Sequence, residues 1–338
     1  MAQGMQKLNE ALASLPEVRE LLLSLDAGTS PIAVSGLSGV HRAQLAAAVR
    51  QKTQRALLVI CADENEANRM AGDLHELLGE DVSLLFAREW QLRDRVSASH
   101  GWEQQRIGTL CSLAVGRSPI LVATVDALMQ RTLPSEVLRG AVTEIKVGAR
   151  FDLAALSKKL VEIGYVRAET VEGVGQFALR GGILDIYSPL SAPVRVEFFD
   201  DEVDAMGEFD LATQRRTQNV KTLTVLPAAE VLPALSDGGR EAMFERLTHA
   251  AQKIEKKAAD SPIVKTLRGD MERLSNDLPL GGMDRYLAAC YPEEICALDY
   301  LAPDTLAVVS DGMRVLERGK NYHWELSEDV KPLIEEGV

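Results

Sequence analysis

The chain has 338 residues, of which 46% are apolar and 26% charged, an ordinary globular composition that excludes a largely disordered or fibrous protein. At about 150 residues per domain, two domains are expected. The 37 Lys and Arg against 50 Asp and Glu leave a net charge of −13, which excludes nucleic-acid coating by the whole surface and leaves only a local basic patch open.

The first residues, MAQGMQKLNEAL, have neither the apolar core nor the cleavage site of a secretory leader. No stretch approaches the ~20 apolar residues of a membrane span, so a cytoplasmic protein without a membrane partner is expected. Residues 31–35 (PIAVS) read as a strand, 36–39 as a Gly/Ser loop and 42–51 as a helix. Residues 56–61 (ALLVIC) are apolar throughout, as in a strand buried on both faces. Asp63 then caps a helix with Glu66 as its capping-box partner, and Ala67, Met70, Ala71, Leu74, Leu77 and Leu78 follow at helical spacing. Strands at 82–86 and 119–124 continue the alternation, which predicts a parallel sheet covered by helices.

The pattern changes after about residue 138. A helix over 152–163 has an Asp152 cap and a Gly164 stop. Strands at 176–187, 194–199, 202–209 and 222–226 follow without helices between them, which predicts an antiparallel α+β unit. From Pro227 the chain turns helical again, with a stripe of Met243, Phe244, Leu247, Ala250, Ala251 and Ile254. Residues 305–310 are then a lone apolar strand, which must join the early parallel sheet to be satisfied. The domains are therefore expected at 1–138, 139–228 and 229–338, the first and third forming one α/β domain split around the second.

The loop Ser35–Ala43 lies where a phosphate-binding loop would, between a strand and a helix N-terminus. Counting from Gly36, with Gly39 inside the loop, the second Gly position holds His41, the Lys position Arg42 and the Ser/Thr position Ala43. His crowds the loop, Arg does not replace the Lys ammonium, and Ala has no hydroxyl for Mg²⁺. The late strand ends Ser310-Asp311-Gly312, so the Glu that activates water after the Asp in motor ATPases is missing. A degenerate nucleotide site at Gly36, Gly39, His41, Arg42, Ala43 and Asp311 is the reading, with no ATP or Mg²⁺ cofactor for this chain.

Other clusters have plainer readings. Cys61, Cys111, Cys290 and Cys296 lack metal or redox spacing and read as buried free thiols in a reducing compartment. The acidic run Asp200–Asp204 reads as a solvated hairpin rather than a metal site. Trp90, Trp102 and Trp324 read as core or half-buried, and no catalytic Ser/His/Asp or Cys/His set is present.

The segments GQFALRGGILDIYS (175–188), PVRVEFFDDEVD (193–204) and EFDLATQRR (208–216) resemble the second domain shared by the bacterial excinuclease component UvrB and the transcription-repair coupling factors. These families carry G-x-F-x-x-R-G-G-hh-D-h, then R-h-x-F-F-x-D-E-h and F-D-x-x-T-Q-R. The lost phosphate loop and the short stretch Leu84–Gly101, with only Phe86 and Trp90 as aromatics, favour the coupling factors. Segments 106–131, 283–287 and 298–301 add to that similarity. The resemblance implies a split RecA-like (helicase-type) parallel-sheet domain with an inserted α+β domain. It also implies that the inserted domain binds the excinuclease component UvrA, with Arg167, Phe177, Arg180, Ile186 and Tyr187 as contacts. Ala178 stands where UvrB has a further Arg. RNA polymerase and double-stranded DNA are then partners of a longer protein, whose C-terminal ATP-driven translocase masks the UvrA-binding face by an intramolecular contact. An ATPase or helicase of the UvrB type is the alternative. A DNA-binding module at Arg240–Arg273 is a third, set against eight Lys and Arg there being balanced by six Asp and Glu.

Overall fold

The all-apolar run Leu57–Cys61 forms a strand with parallel neighbours on both sides, the position that a strand without a polar face requires. Ile120–Thr124 lies on one side and Leu306–Val309 on the other, in register from Leu57↔Ile120 and Leu57↔Leu306. Ser83–Leu85 pairs beyond Ile120–Thr124 to complete a four-stranded parallel sheet. The late strand thus joins the early sheet. The structure, a computed structural model, describes residues 2–88, 100–257, 261–276, 278 and 280–335. Most of the Leu84–Gly101 stretch, including Trp90, and the side chain of Trp102 lie outside the described residues.

Residues 31–35, expected as a strand, have no regular structure. Pro31 brings no N–H to a ladder, and Val34 is 52% exposed, so neither donor nor burial holds the segment in a sheet. The helix Glu64–Leu78 starts as its sequence requires, with the Asp63 carboxylate accepting from Glu66 N at 2.8 Å. Glu66 departs from the capping box: its carboxylate accepts from Ala62 N instead. The helix buries Ala67, Met70, Ala71 and Leu74 beside Ala43, Ala46 and Ala47 of the helix Gly39–Thr53, where small side chains allow close approach to the sheet. Trp324, on the long helix Gly312–Glu335, is 63% exposed, contrary to its expected half-burial.

The described residues fall into two compact units. One is drawn from 1–87, 116–130 and 300–325, the other from 88–115, 131–299 and 326–338. These bounds differ from the expected ones in that the described residues of 100–115 and 229–299 group with the second unit.

The second unit is built on a six-stranded sheet. Its spatial order is Arg216–Asn219, Glu202–Phe209, Val194–Phe199, Ile183–Ile186, Gln176–Arg180 and Val166–Arg167, antiparallel except for the last pair. Alternation sends Phe177, Leu184, Ile186, Val194, Val196, Val203 and Met206 to one face. There they pack against Leu156 and Leu160 of the helix Leu153–Glu162 and against Ile145, Leu223 and Val225 of a two-stranded ribbon. Asp152 caps that helix by accepting from Ala154 N and Ala155 N, and Gly164 follows its end at φ +94. The Gly181–Gly182 pair makes the tight turn between two strands: Gly181 takes φ +60, and a Cβ on Gly182 would lie 2.8 Å from the Phe198 carbonyl oxygen.

Candidate protein-binding face and remnant nucleotide site

In the first unit, Gly36 takes φ +81 and a helix opens at Gly39, so the loop keeps the outline of a phosphate-binding turn. Its contents differ. His41 Nδ1 lies 2.8 Å from Ser38 Oγ, and Ala43 is fully buried. Arg42 and Asp311, far apart in sequence, meet: Arg42 Nη2 is 3.3 Å from Asp311 Oδ2, and its Nη1 is 3.5 Å from Glu66 Oε1. Ser310 Oγ donates to Glu66 at 2.7 Å. Arg314 pairs with Asp63 at 2.6 Å and lies 3.7 Å from Glu66. The Glu66 amide, more than Arg314, holds the Asp63 carboxyl below its usual range against the effect of burial. Burial, aided by Glu66 and Asp63, pushes the Cys61 thiol up to about 12, so it offers no thiolate nucleophile. Among the described residues, no group of three or more His, Cys, Asp or Glu is arranged to hold a metal ion.

In the second unit, the sheet face opposite the core carries the charged part of the Gly175–Asp204 motif. Arg180 pairs with Ile183 across the Gly-Gly turn, and Asp185 lies between Ala178 and Arg195 in neighbouring strands. The Asp185 side chain is fully buried, yet it accepts from Arg180 Nη2 at 2.8 Å, Arg195 Nε at 2.6 Å and Arg195 Nη2 at 2.9 Å. Arg195 also lies over the Phe209 ring, 5.1 Å from its centroid, and donates to the Gln214 carbonyl at 3.3 Å. Its hydrogen bonds to Asp185 hold that guanidinium above its ordinary range despite desolvation. The Arg180 side chain is 52% exposed. It pairs with Asp185 and not with the acidic run. That run forms the hairpin turn, with Asp200 at φ +57 and with Asp201 and Glu202 facing Arg150.

The other expected contacts are placed differently. Phe177 and Ile186 are 0% exposed and belong to the core, which corrects their reading as contacts: period-2 alternation sends both inward. Tyr187 is half-buried on the other side, against Val171, Ala178 and Phe209. Arg167 is exposed on the edge strand, but its register partner is the inward Phe177, so it leaves the sheet on the covered side, at the edge. Arg180 and Arg167 therefore do not share a face. Asp185 and Arg195 were not singled out from sequence. Alternation marks both as outward, but only the strand register shows that they meet. Cys61, Cys111 and Cys290 are buried free thiols, and Cys296 is half-buried.

Comparison with known proteins fits this geometry. Residues 143–231 match the family described as the UvrB interaction domain, and these residues include all six strands of the sheet and the ribbon. The transcription-repair-coupling factor of Bacillus subtilis is 28% identical over 338 residues, covering 98% of this chain and 29% of its own length. That of Myxococcus xanthus is 32% identical, covering 87% and 25%. That of Staphylococcus haemolyticus is 27% identical, covering 92% and 27%. The chain spans less than a third of the length of these relatives. Over nearly its whole length the chain is similar to transcription-repair-coupling factors, and residues 143–231 match the UvrB interaction domain.

Proposed function

We propose that this chain is a recruiting module that binds the excinuclease component UvrA through the sheet face around Arg180. It would bring nucleotide excision repair to RNA polymerase stalled at a lesion. ATP-driven movement on double-stranded DNA would belong to other parts of a longer protein. The observation that carries this reading is Arg180 itself: half-exposed and held by a buried carboxylate on the solvent side of a UvrB interaction domain. An arginine displayed in this way is a common interface anchor, and it sets partner choice through charge.

The test is titration of purified UvrA onto the immobilised chain. Arg180→Ala is expected to weaken binding about tenfold or more, and Arg167→Ala, at the edge, by about threefold or less. Thermal melting should be unchanged for Arg167→Ala and lowered only modestly for Arg180→Ala, because Arg195 still pairs with the buried Asp185. Equal affinity of wild type and Arg180→Ala would remove the support for this face.

The α/β unit, in this reading, does not turn over ATP. The ion pairs beside the remnant loop set the carboxylates of Asp63, Glu66 and Asp311 against the guanidiniums of Arg42 and Arg314. Arg42, which stands where the phosphate-binding Lys would, is thereby engaged by Asp311 and Glu66 and is not displayed for a phosphate. Calorimetric titration with Mg·ATP to about millimolar concentration is expected to give no saturable heat. Saturable binding in the micromolar range would restore the nucleotide-dependent alternative.

A further inference from the structure

The proposed contact surface holds an unusual charge arrangement: one buried carboxylate shared by two arginines of different freedom. Arg195 is fixed on three sides, by two hydrogen bonds to Asp185, by the Phe209 ring and by the Gln214 carbonyl. Its side chain is 20% exposed. Arg180 is tied at one point only, through Nη2 to Asp185 Oδ2 at 2.8 Å. Among the described residues it donates no other hydrogen bond, and half of its side chain faces solvent. Two guanidiniums against one carboxylate leave one positive charge in excess, on the exposed member of the set.

We infer that Asp185 and Arg195 are positioning residues, which hold the Arg180 guanidinium with its free edge turned outward for a carboxylate of the partner. This rests on the reading of the face as the UvrA-binding surface. Arginine has a long, rotamer-rich side chain, and immobilising it on binding costs affinity. A guanidinium already held at one nitrogen has lost that freedom on folding. Its remaining donors keep the planar fork that a carboxylate accepts. Arg195 neutralises Asp185 and keeps its carboxylate in place, so Asp185 can anchor Arg180 without drawing it into the sheet.

The sign of one substitution separates positioning from simple attraction. Asp185→Asn raises the positive charge of the face. If charge alone drove capture of an acidic partner, it would tighten binding. If Asp185 positions Arg180, it weakens binding.

The experiment measures the affinity of UvrA for the full chain and for Arg180→Ala, Asp185→Asn and the double variant, with folding checked by circular dichroism. Asp185→Asn is expected to weaken binding about fivefold, through faster dissociation, while in the Arg180→Ala background it changes nothing. Loss of the same size in both backgrounds, or tighter binding by Asp185→Asn, would overturn the inference and leave the functional reading standing. Absence of wild-type binding would overturn both. If Asp185→Asn fails to fold, Arg195→Gln takes its place in the same cycle, with the same non-additive loss expected and an additive loss counting against the inference.

Discussion

Glu230→Ala is expected to destabilise the second unit by about 3–5 kcal/mol, because it strips the shared partner from two buried arginines. Glu230 is 7% exposed and accepts from Arg88 Nη2 at 2.8 Å, Arg106 Nε at 2.7 Å and Thr132 Oγ1 at 2.8 Å. Asp284 lies 3.6 Å from Arg88. Residues 88, 106, 132, 230 and 284 are thus fastened at one buried point, although they lie far apart in sequence. Removing the carboxylate leaves the Arg106 and Arg88 charges without their main compensation in a medium that solvates them poorly. Glu230→Gln, which keeps hydrogen-bonding capacity, should lose less. Urea unfolding followed by far-UV circular dichroism measures both.

The same cluster makes a pH dependence. Burial raises the Glu230 pKa, but Arg106 and Arg88 outweigh it, so the carboxyl sits below its usual 4.5. Its contribution is therefore present above about pH 4.5 and is lost as pH falls through the lower folded value. Glu103 goes the other way: burial first, then the Asp284 carboxylate, push it up to about 7 against the pull of Arg88. The folded state favours its protonated form, so stability falls as pH rises from about 4.5 through about 7. Glu103→Gln should flatten that fall, which urea midpoints between about pH 5 and pH 8 would show.

Phe177→Ala is expected to cost about 3–5 kcal/mol through the cavity left beneath the sheet. Phe177 is fully buried among Tyr165, Leu184, Ile186 and Val196, against the helix Leu153–Glu162. The motif that marks the domain places this residue three positions before Arg180, so it is easily mistaken for a contact. The distinction is measurable. Phe177→Leu, which fills most of the space, should melt at a lower temperature but bind UvrA as tightly as wild type at a temperature where it is folded. A selective loss of binding with unchanged melting would contradict the core assignment.

Much of this was legible from the residues. The run Leu57–Cys61 has no polar face, so it had to be a central strand, and the lone strand Leu306–Val309 had to find a sheet. Asp63 and Asp152 are caps because short carboxylates at those positions satisfy otherwise unpaired amides. Residues 31–35 misled because their composition is strand-like, while pairing depends on a tertiary neighbour. In the motif, alternation alone would have assigned Phe177 and Ile186 to the core. The resemblance named them as contacts without regard to face. The Arg88–Arg106–Thr132–Glu230 cluster was not legible, since its members lie on separate segments without a shared local pattern. The Arg180–Asp185–Arg195 set needed the register of three strands.

The most direct test of the central claim is a hydrogen-exchange map of the full chain with and without UvrA. Binding through the Arg180 face is expected to slow exchange in Gln176–Ile186 and Val194–Phe199, with the Leu57–Cys61 sheet of the other unit unchanged. Bound UvrA that protects residues 36–66 or 306–314 instead, and leaves the Gly181–Gly182 turn exchanging as in the free chain, would contradict the account.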